Sequence, residues 1–492
     1  SILAEIRYNA NSPCDITDSL FNGKREKEEL FMGLSTGLRG HARDMTQGSP
    51  LKLIMWFSVP LFVGNIFQQV YSIVDTIVAG HNLGSGAVAA IGATSSIYSL
   101  IIGFLSGLNS GYGIVIARAF GAHKRDELRQ AVAAMLLLNG VLSILFTGVS
   151  LLGIRPLMRA LNVPSDVFEQ AYLYIAIILA GMLVTSLYNM CAGLLRAIGD
   201  SRSPLYFLII ASVINLVLDI LFIAGFHTGV WGAALATVLA QICSVIFCAV
   251  YIFRSYRELL PNKEDFLLEK GLLWDMFSTG LSMAVMLSVF NFGSVILQSA
   301  INQLGTSVIT AHTASRRIID MLMQPLSAIA TANSTFTSQN WGAGQYDRIR
   351  LAIKTVVGLE VIWGVFSALV VYLFGGRMIT ALIGSTDPGV IQNAVMNLRI
   401  NFACFPELGV LLCLRTAMQS MGSKIIPIVS SAMELAVKLL SVVTLIPCWG
   451  YFGASITEPI TWIICCVFLC FVYLFRDRVR LMERGACREC EV

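Results

Sequence analysis

The sequence predicts an all-α integral membrane protein, with twelve transmembrane helices in two six-helix lobes related by a pseudo-twofold axis. Three observations predict this: a composition too apolar for a water-soluble globule, apolar runs of membrane-spanning length, and an internal repeat at a fixed offset. Of 492 residues, 56% are hydrophobic and 13% are charged, about half the charged share of an ordinary soluble domain. A bilayer accepts that much apolar surface; water does not. Inside it every backbone N–H and C=O must be paired, so spans are helices or closed barrel strands. Barrel strands would alternate over ~10 residues. The runs here reach ~20 residues or more, the length an α-helix needs to cross.

Residues 1–50 are polar and mixed in charge, with Lys24-Arg25-Glu26-Lys27-Glu28-Glu29, and are expected to be disordered. From Leu51 the spans read at roughly 53–80, 87–118, 128–153, 167–194, 204–225 and 230–253, which form the N-lobe over 51–253. The linker 254–272, with Pro261-Asn262-Lys263-Glu264-Asp265, separates this lobe from the next. Spans at roughly 273–302, 307–338, 347–374, 389–420, 424–447 and 452–475 form the C-lobe over 273–475, and 476–492 is a basic tail.

Lys and Arg set the orientation. One set of loops holds Arg118, Lys124, Arg125, Arg129, Arg196, Arg202, Arg254, Arg257, Lys263 and Lys270, then Arg348, Arg350, Lys354, Arg415 and Lys424. The opposite loops hold Arg155, Arg159 and Arg377. The chain is therefore expected in the plasma (inner) membrane with both termini and the linker cytoplasmic.

The repeat has an offset of 221. Ala117-Arg118-Ala119-Phe120-Gly121-Ala122-His123-Lys124-Arg125-Asp126 aligns with Ser338-Gln339-Asn340-Trp341-Gly342-Ala343-Gly344-Gln345-Tyr346-Asp347, and Leu83-Gly84-Ser85 with Leu304-Gly305-Thr306. Six spans per half is an even number, so the halves insert the same way up. That pattern occurs among secondary transporters.

Ionisable groups at membrane depth are costly and usually functional. The N-lobe has Asp75 in its first span and Asp219 in its fifth. Asn215 precedes Asp219 by four residues, so the two share a helix face. Asp75 lies five residues before Gly80, Asp219 six before Gly225, and Thr237 seven after Val230. At ~1.5 Å per residue these groups share a depth of roughly 8–11 Å below one surface. Two carboxylates, an amide and a hydroxyl suit a proton or a hard cation such as Na+. The alternative is that the carboxylates only accept hydrogen bonds between helices. Pro60 removes a backbone hydrogen bond from the first span and is a candidate hinge; a static kink is the other reading. Gln68, Tyr71, Asn189 and Met286 are candidate cleft residues, because amides are costly against lipid and methionine suits an adaptable pocket.

The C-lobe differs. The counterpart of Asp75 is Ile296, and aligning Gly199 with Gly422 sets Lys438 opposite Asn215 and Val442 opposite Asp219. Glu434 with Lys438, and Arg316 and Arg317 with Asp320, are spaced to neutralise one another. Glu360, Arg399, Glu407 and Glu458 have no partner assignable from spacing. The 12 cysteines fit no disulfide framework, and Cys487-x-x-Cys490 lacks a second ligand pair for a metal. No G-x-x-x-x-G-K-[ST] loop is present, which excludes ATP hydrolysis by that route.

Met45-Thr46-Gln47-Gly48-Ser49-Pro50, then Pro60-Leu61, Gly64-Asn65 and Gln68-Gln69-Val70-Tyr71-Ser72-Ile73-Val74-Asp75, resemble the opening of the multidrug and toxic compound extrusion (MATE) family. The DinF-like branch looks most similar, and the resemblance covers roughly residues 45–475. It implies two lobes around a central cleft and antiport driven by H+ or Na+. It also implies a cation site of Asp75, Asn215, Asp219 and Thr237, with a first helix that bends at Pro60. Other branches carry a Glu on helix seven and an Asp on helix ten. Span seven here has no interior carboxylate and Glu407 does not match, which leaves a second cation site in the C-lobe without support.

The expected function is export of small amphipathic, often cationic, drug-like compounds in exchange for H+ or Na+. No cofactor, no nucleic acid partner, and no metal other than Na+ at the cation site are expected, from a monomer surrounded by membrane lipids. The alternative is a lipid-linked precursor flippase of the same superfamily, which would line its cleft with basic groups such as Arg316, Arg317, Arg399 and Lys438. A membrane-embedded enzyme would need clustered nucleophile, base or metal groups, and a channel would need a ring of subunits; the sequence offers neither.

Overall fold

The computed structural model describes residues 41–83, 85–160, 163, 165, 167–384 and 387–477, and among these there is no strand. The helices of the first half are α1 (Pro50–Leu83), α2 (Ser85–Gly121), α3 (Arg125–Ala160), α4 (Phe168–Ala180), α5 (Met182–Ala197), α6 (Arg202–Asp219) and α7 (Val230–Ser255). Those of the second half are α8 (Lys270–Asn302), α9 (Thr306–Gly342), α10 (Tyr346–Ile383), α11 (Pro388–Ala403), α12 (Phe405–Ser420), α13 (Ile425–Val443) and α14 (Leu445–Val472). Short 3-10 turns at Arg257–Leu259 and Lys263–Phe266 join the halves.

Lipid, not water, is the solvent these helices are built for. On α3 the exposed stripe is Val141, Ile144, Leu145, Val149 and Leu152, the last 85% exposed. On α10 it is Ile362, Val365, Phe366, Leu369 and Leu373. Apolar bands this long on a water-facing surface would drive aggregation. Nine described helices are long and apolar enough to cross a membrane, and two bent pairs raise the number to eleven. The twelfth is α9, 37 residues long but polar. Its Asn333, Thr337, Ser338, Gln339 and Asn340 are all fully buried. It packs against α1, α2, α10, α11 and α12 and so meets protein where its neighbours meet lipid. Polar side chains are tolerated there because other helices satisfy them.

The fourth and tenth spans, read from the sequence as continuous, are broken. α4 and α5 meet at 45° around Gly181, and α11 and α12 at 50° around Cys404. Pro406 lies just past the second break; it has no N–H to donate, and its ring crowds the preceding turn. At the first, a Cβ on Gly181 would lie 2.4 Å from Val238 Cγ2 of α7, so the close approach requires glycine. The eleventh and twelfth spans also divide differently from the sequence reading. α13 stops at Val443 and α14 begins at Leu445, with its irregular backbone at Gly450.

The repeat is written into the backbone. Gly199 and Gly422 open equivalent connections with φ of 87° and 89°. Gly229 (φ 75°, ψ −156°) precedes α7, and Gly450 (φ 56°, ψ −133°) occupies the same place in α14. These values lie where L-residues are strongly disfavoured. The two glycines head matching runs, Gly229-Val230-Trp231-Gly232-Ala233-Ala234-Leu235-Ala236-Thr237 and Gly450-Tyr451-Phe452-Gly453-Ala454-Ser455-Ile456-Thr457-Glu458. The lobes cross at their symmetry-related ends. A Cβ on Gly121 would lie 2.0 Å from Gln339 O, and one on Gly342 would lie 1.9 Å from Arg118 O. Each glycine therefore packs on the counterpart of the residue three places before it, at the face that carries the basic loops.

Residues 1–40 fall outside the described residues, but 41–49, expected to be disordered, are a packed strap beneath this crossing. Met45 is fully buried; its N–H donates to Gln339 Oε1 at 2.8 Å, and its carbonyl accepts from Asn340 Nδ2 at 3.1 Å. Gln339 Nε2 also donates to Ala197 O at 2.8 Å, so one amide of α9 holds both the strap and the end of α5. Arg348 donates to Gly48 O (2.7 Å), Met45 O (3.0 Å) and Asn340 Oδ1 (2.8 Å). Charge-assisted bonds of this type contribute about 1.5–3 kcal/mol each before non-additivity. Arg348→Met is expected to lower the thermal midpoint and expose residues 41–49 to protease, read by limited proteolysis; unchanged cleavage would show that the strap is held by packing alone.

Candidate cation site and central cavity

A cavity of about 410 Å³ lies between the lobes near the crossing. α1 contributes Pro60, Gly64 and Gln68, one helical face at i, i+4, i+8. α2 contributes Ser106, Ser110 and Gly113, α5 contributes Tyr188, Asn189 and Arg196, and α6 contributes Pro204, Leu205 and Leu208. From the C-lobe come Thr331, Ser334, Thr335 and Ser338 of α9, Met283 of α8 and Thr416 of α12. The wall is rich in hydroxyls because these helices bury small polar faces against each other. Many hydroxyls donate within their own helix, as Ser110 does to Ser106 O (2.8 Å) and Thr331 to Ser327 O (2.8 Å). Arg196 is the one charged residue among the described residues that line the cavity.

Of the sequence-predicted cleft residues, Gln68 and Asn189 line this cavity. Met286 does not; it is buried, with its sulfur 3.4 Å from Gln419 Nε2. Met283, one turn earlier on α8, lines the wall instead. The Tyr71 side chain lies outside the described residues.

The α6 stripe that faces the cavity at Leu208 continues through Ser212 and Asn215 to Asp219 at helical spacing. All three of those polar residues are buried, and Asp219 is fully so. Asn215 Nδ2 donates to Thr237 Oγ1 of α7 at 3.5 Å, and Thr237 Oγ1 donates to Ala233 O at 3.0 Å. Asp219 ends the α-helical part of its span; Ile220–Gly225 continue as a π-helical turn. Single π turns widen the helix and recur at functional sites. The structure thus brings Asn215 and Thr237 together and sets Asp219 one turn further along the same face. The Asp75 side chain lies outside the described residues.

The sequence pattern of the MatE family matches twice, over residues 60–221 and 282–444, once in each lobe. The chain belongs to the MatE family. It is a membrane transporter and not an enzyme. It is similar to a probable multidrug resistance protein, YpnP, of Bacillus subtilis, with 27% identity over 70% of this chain and 77% of YpnP. It is also similar to an FAD transporter of Shewanella oneidensis, with 23% identity over 80% of this chain and 87% of that one. Among solved structures it shares its fold with MATE in complex with MaL6, with a TM-score of 0.82 at 22% identity over 91% of this chain and 100% of the other.

The C-lobe of this MatE chain holds a row of linked charges that runs from buried Arg415, Glu434 and Lys438 to partly exposed Arg316 and Asp320. Arg415 meets Glu434 (3.3 Å), Glu434 meets Lys438 (3.2 Å) and Lys438 meets Glu458 (3.2 Å); Glu458 then meets Arg316 (3.7 Å), which meets Asp320 (3.0 Å). The i,i+4 pairs were legible in the sequence. The link from Lys438 to Glu458 was not, because it joins two different helices, α13 and α14, and no helical period relates the two positions. None of Arg316, Arg317, Arg399 and Lys438 is among the described cavity residues, and Arg399 lies over the Tyr372 ring at 5.8 Å. Glu360 of α10 is fully buried, and neither of its oxygens has a hydrogen-bond partner among the described residues. The nine described cysteines are free thiols. Sequence reasoning missed Gln339 and Arg348, which tie the strap to the lobes; their one signal was the basic and amide character of the repeated Gly-Ala turn.

Proposed function

We propose that this MatE transporter is a secondary antiporter that exports small amphipathic organic compounds in exchange for H+ or Na+, with the basic face cytoplasmic. The observation that carries the reading is Asp219, a fully buried carboxylate on the stripe of α6 that faces the cavity. A buried carboxylate beside amide and hydroxyl oxygens gains from a proton or a small hard cation. Asp75, seven residues after Gln68, falls on the same face of α1 by helical spacing and would complete the site. Pro60, Gly64 and Gln68 line the cavity and Asp75 lies further along the same helix, so cargo and ion act on one rod that carries a proline. The multidrug name of YpnP is in line with this cargo class.

One observation favours a second reading of the cargo. Arg196, the charged lining residue, favours neutral and anionic compounds over cations in a cavity of low dielectric. The FAD transporter among the relatives has an anionic cargo in its name. The test is efflux from proteoliposomes carrying the whole chain, with neutral, cationic and anionic fluorescent cargoes, under a proton or a sodium gradient imposed separately. One gradient is expected to drive accumulation, and Arg196→Gln is expected to shift preference toward cations several-fold. Equal downhill leak under both gradients would overturn the antiport reading.

A further inference from the structure

The C-lobe copy of the cation site holds a cation of its own. Lys438 follows Gly422 by 16 residues, as Asn215 follows Gly199. Glu458 follows Gly450 by eight residues, as Thr237 follows Gly229. The two pairs of glycines share their unusual backbone angles, so the correspondence is one of structure as well as sequence. The equivalent side chains make equivalent contacts: Asn215 to Thr237 at 3.5 Å in one lobe, Lys438 to Glu458 at 3.2 Å in the other. Where the N-lobe pair is neutral, the C-lobe pair is an ion pair.

Lys438 is fully buried, and its Nζ is held by a second carboxylate, Glu434, at 3.2 Å. The Phe290 ring of α8 lies 4.9 Å from Nζ, in cation–π range. A Cβ on Gly293 would lie 3.0 Å from Lys438 Cδ, so α8 packs closely against the lysine stem. Arg415 and Arg316 flank the two carboxylates, and Asp320 ends the row, which leaves three positive and three negative groups. Its buried part, Lys438 between Glu434 and Glu458, persists only because the charges are paired. The positions of the N-lobe acids Asp75 and Asp219 are Ile296 and Val442 here, so the C-lobe acids arrive together with their ammonium.

We propose that Lys438 Nζ is a tethered stand-in for the exchanged ion, so that the C-lobe site is permanently loaded and ion gating is confined to the N-lobe. The proposal rests on the reading of Asp219, Asn215 and Thr237 as the exchange site. Removing the side chain would leave Glu434 and Glu458 around a vacancy that accepts a small monovalent organic cation.

The test uses the full-length Lys438→Ala variant, purified in detergent, with thermal unfolding followed against added methylammonium chloride or choline chloride. Methylammonium reproduces the lost end of lysine; choline is too bulky for the vacancy. The variant is expected to unfold several degrees below wild type and to recover part of that loss with methylammonium only, while wild type responds to neither. No recovery, or equal recovery with choline, would overturn the proposal. Lys438→Asn with Glu458→Thr rebuilds the N-lobe pair at no change in net charge and covers the case in which Lys438→Ala does not fold. That variant is expected to keep the ion dependence of wild-type transport; its loss would mean that Lys438 takes part in exchange and the proposal is wrong. Failure of the Asp219 reading would leave the methylammonium result unaffected, so the two can be told apart.

Discussion

Asp219→Asn is expected to uncouple transport from the ion gradient while leaving the protein at least as stable. A gradient of two pH units supplies about 2.7 kcal/mol per proton, enough for roughly 100-fold accumulation of cargo at one proton per cycle. A sodium gradient of the same ratio supplies the same amount. The carboxamide keeps the shape of the side chain but neither takes up a proton nor neutralises Na+, so accumulation is expected to fall to about the onefold limit of passive exchange. Asp219 is fully buried, and a neutral amide there avoids the desolvation of a charge. The thermal midpoint of the variant is therefore expected to match or exceed that of wild type. Asn215→Leu and Thr237→Val remove neutral oxygens and should weaken ion dependence without abolishing it. Wild-type accumulation by Asp219→Asn would move the coupling ion elsewhere in the chain, with Glu360, which has no hydrogen-bond partner among the described residues, the first place to look.

The second large effect is expected at the crossing of α2 and α9. Gly342→Val forces a side chain into the 1.9 Å between its Cβ position and Arg118 O, and Gly121→Val does the same against Gln339 O at 2.0 Å. The obstacle in each case is backbone, which cannot rotate away. Overpacking of this kind costs about 1–3 kcal/mol. The two variants strain one crossing, so the double variant should cost less than the sum of the singles. The helices are expected to separate at the basic face and break the Gln339 bridge between the strap and α5. A cysteine introduced at Ser338 would then react with a membrane-impermeant thiol reagent added from that face, and transport would fall because the packed crossing is disfavoured. Wild-type labelling and transport in Gly342→Val would show that the crossing opens freely in every state.

Much of this was legible beforehand, for a definite reason. In a bilayer the backbone must pair within each segment, so length and apolarity alone mark the spans. The fixed offset of 221 announced the two lobes, and the reciprocal packing of Gly121 and Gly342 now accounts for its best-matched turn. Asn215 and Thr237 were grouped by depth from helical rise alone, and they meet at 3.5 Å.

Composition, span number, lobe symmetry and the meeting of Asn215 with Thr237 followed from the chain by itself, because each depends on local periodicity or on repetition along it. The break at Gly181, the packed strap at 41–49, the cavity wall with Arg196, and the row of charges through Lys438 and Glu458 were decided by tertiary structure. Each depends on which helix comes to lie beside which, and contacts between residues far apart in sequence leave no period to read. A polar helix such as α9 belongs to the same class: only its neighbours determine whether its amides face lipid or one another.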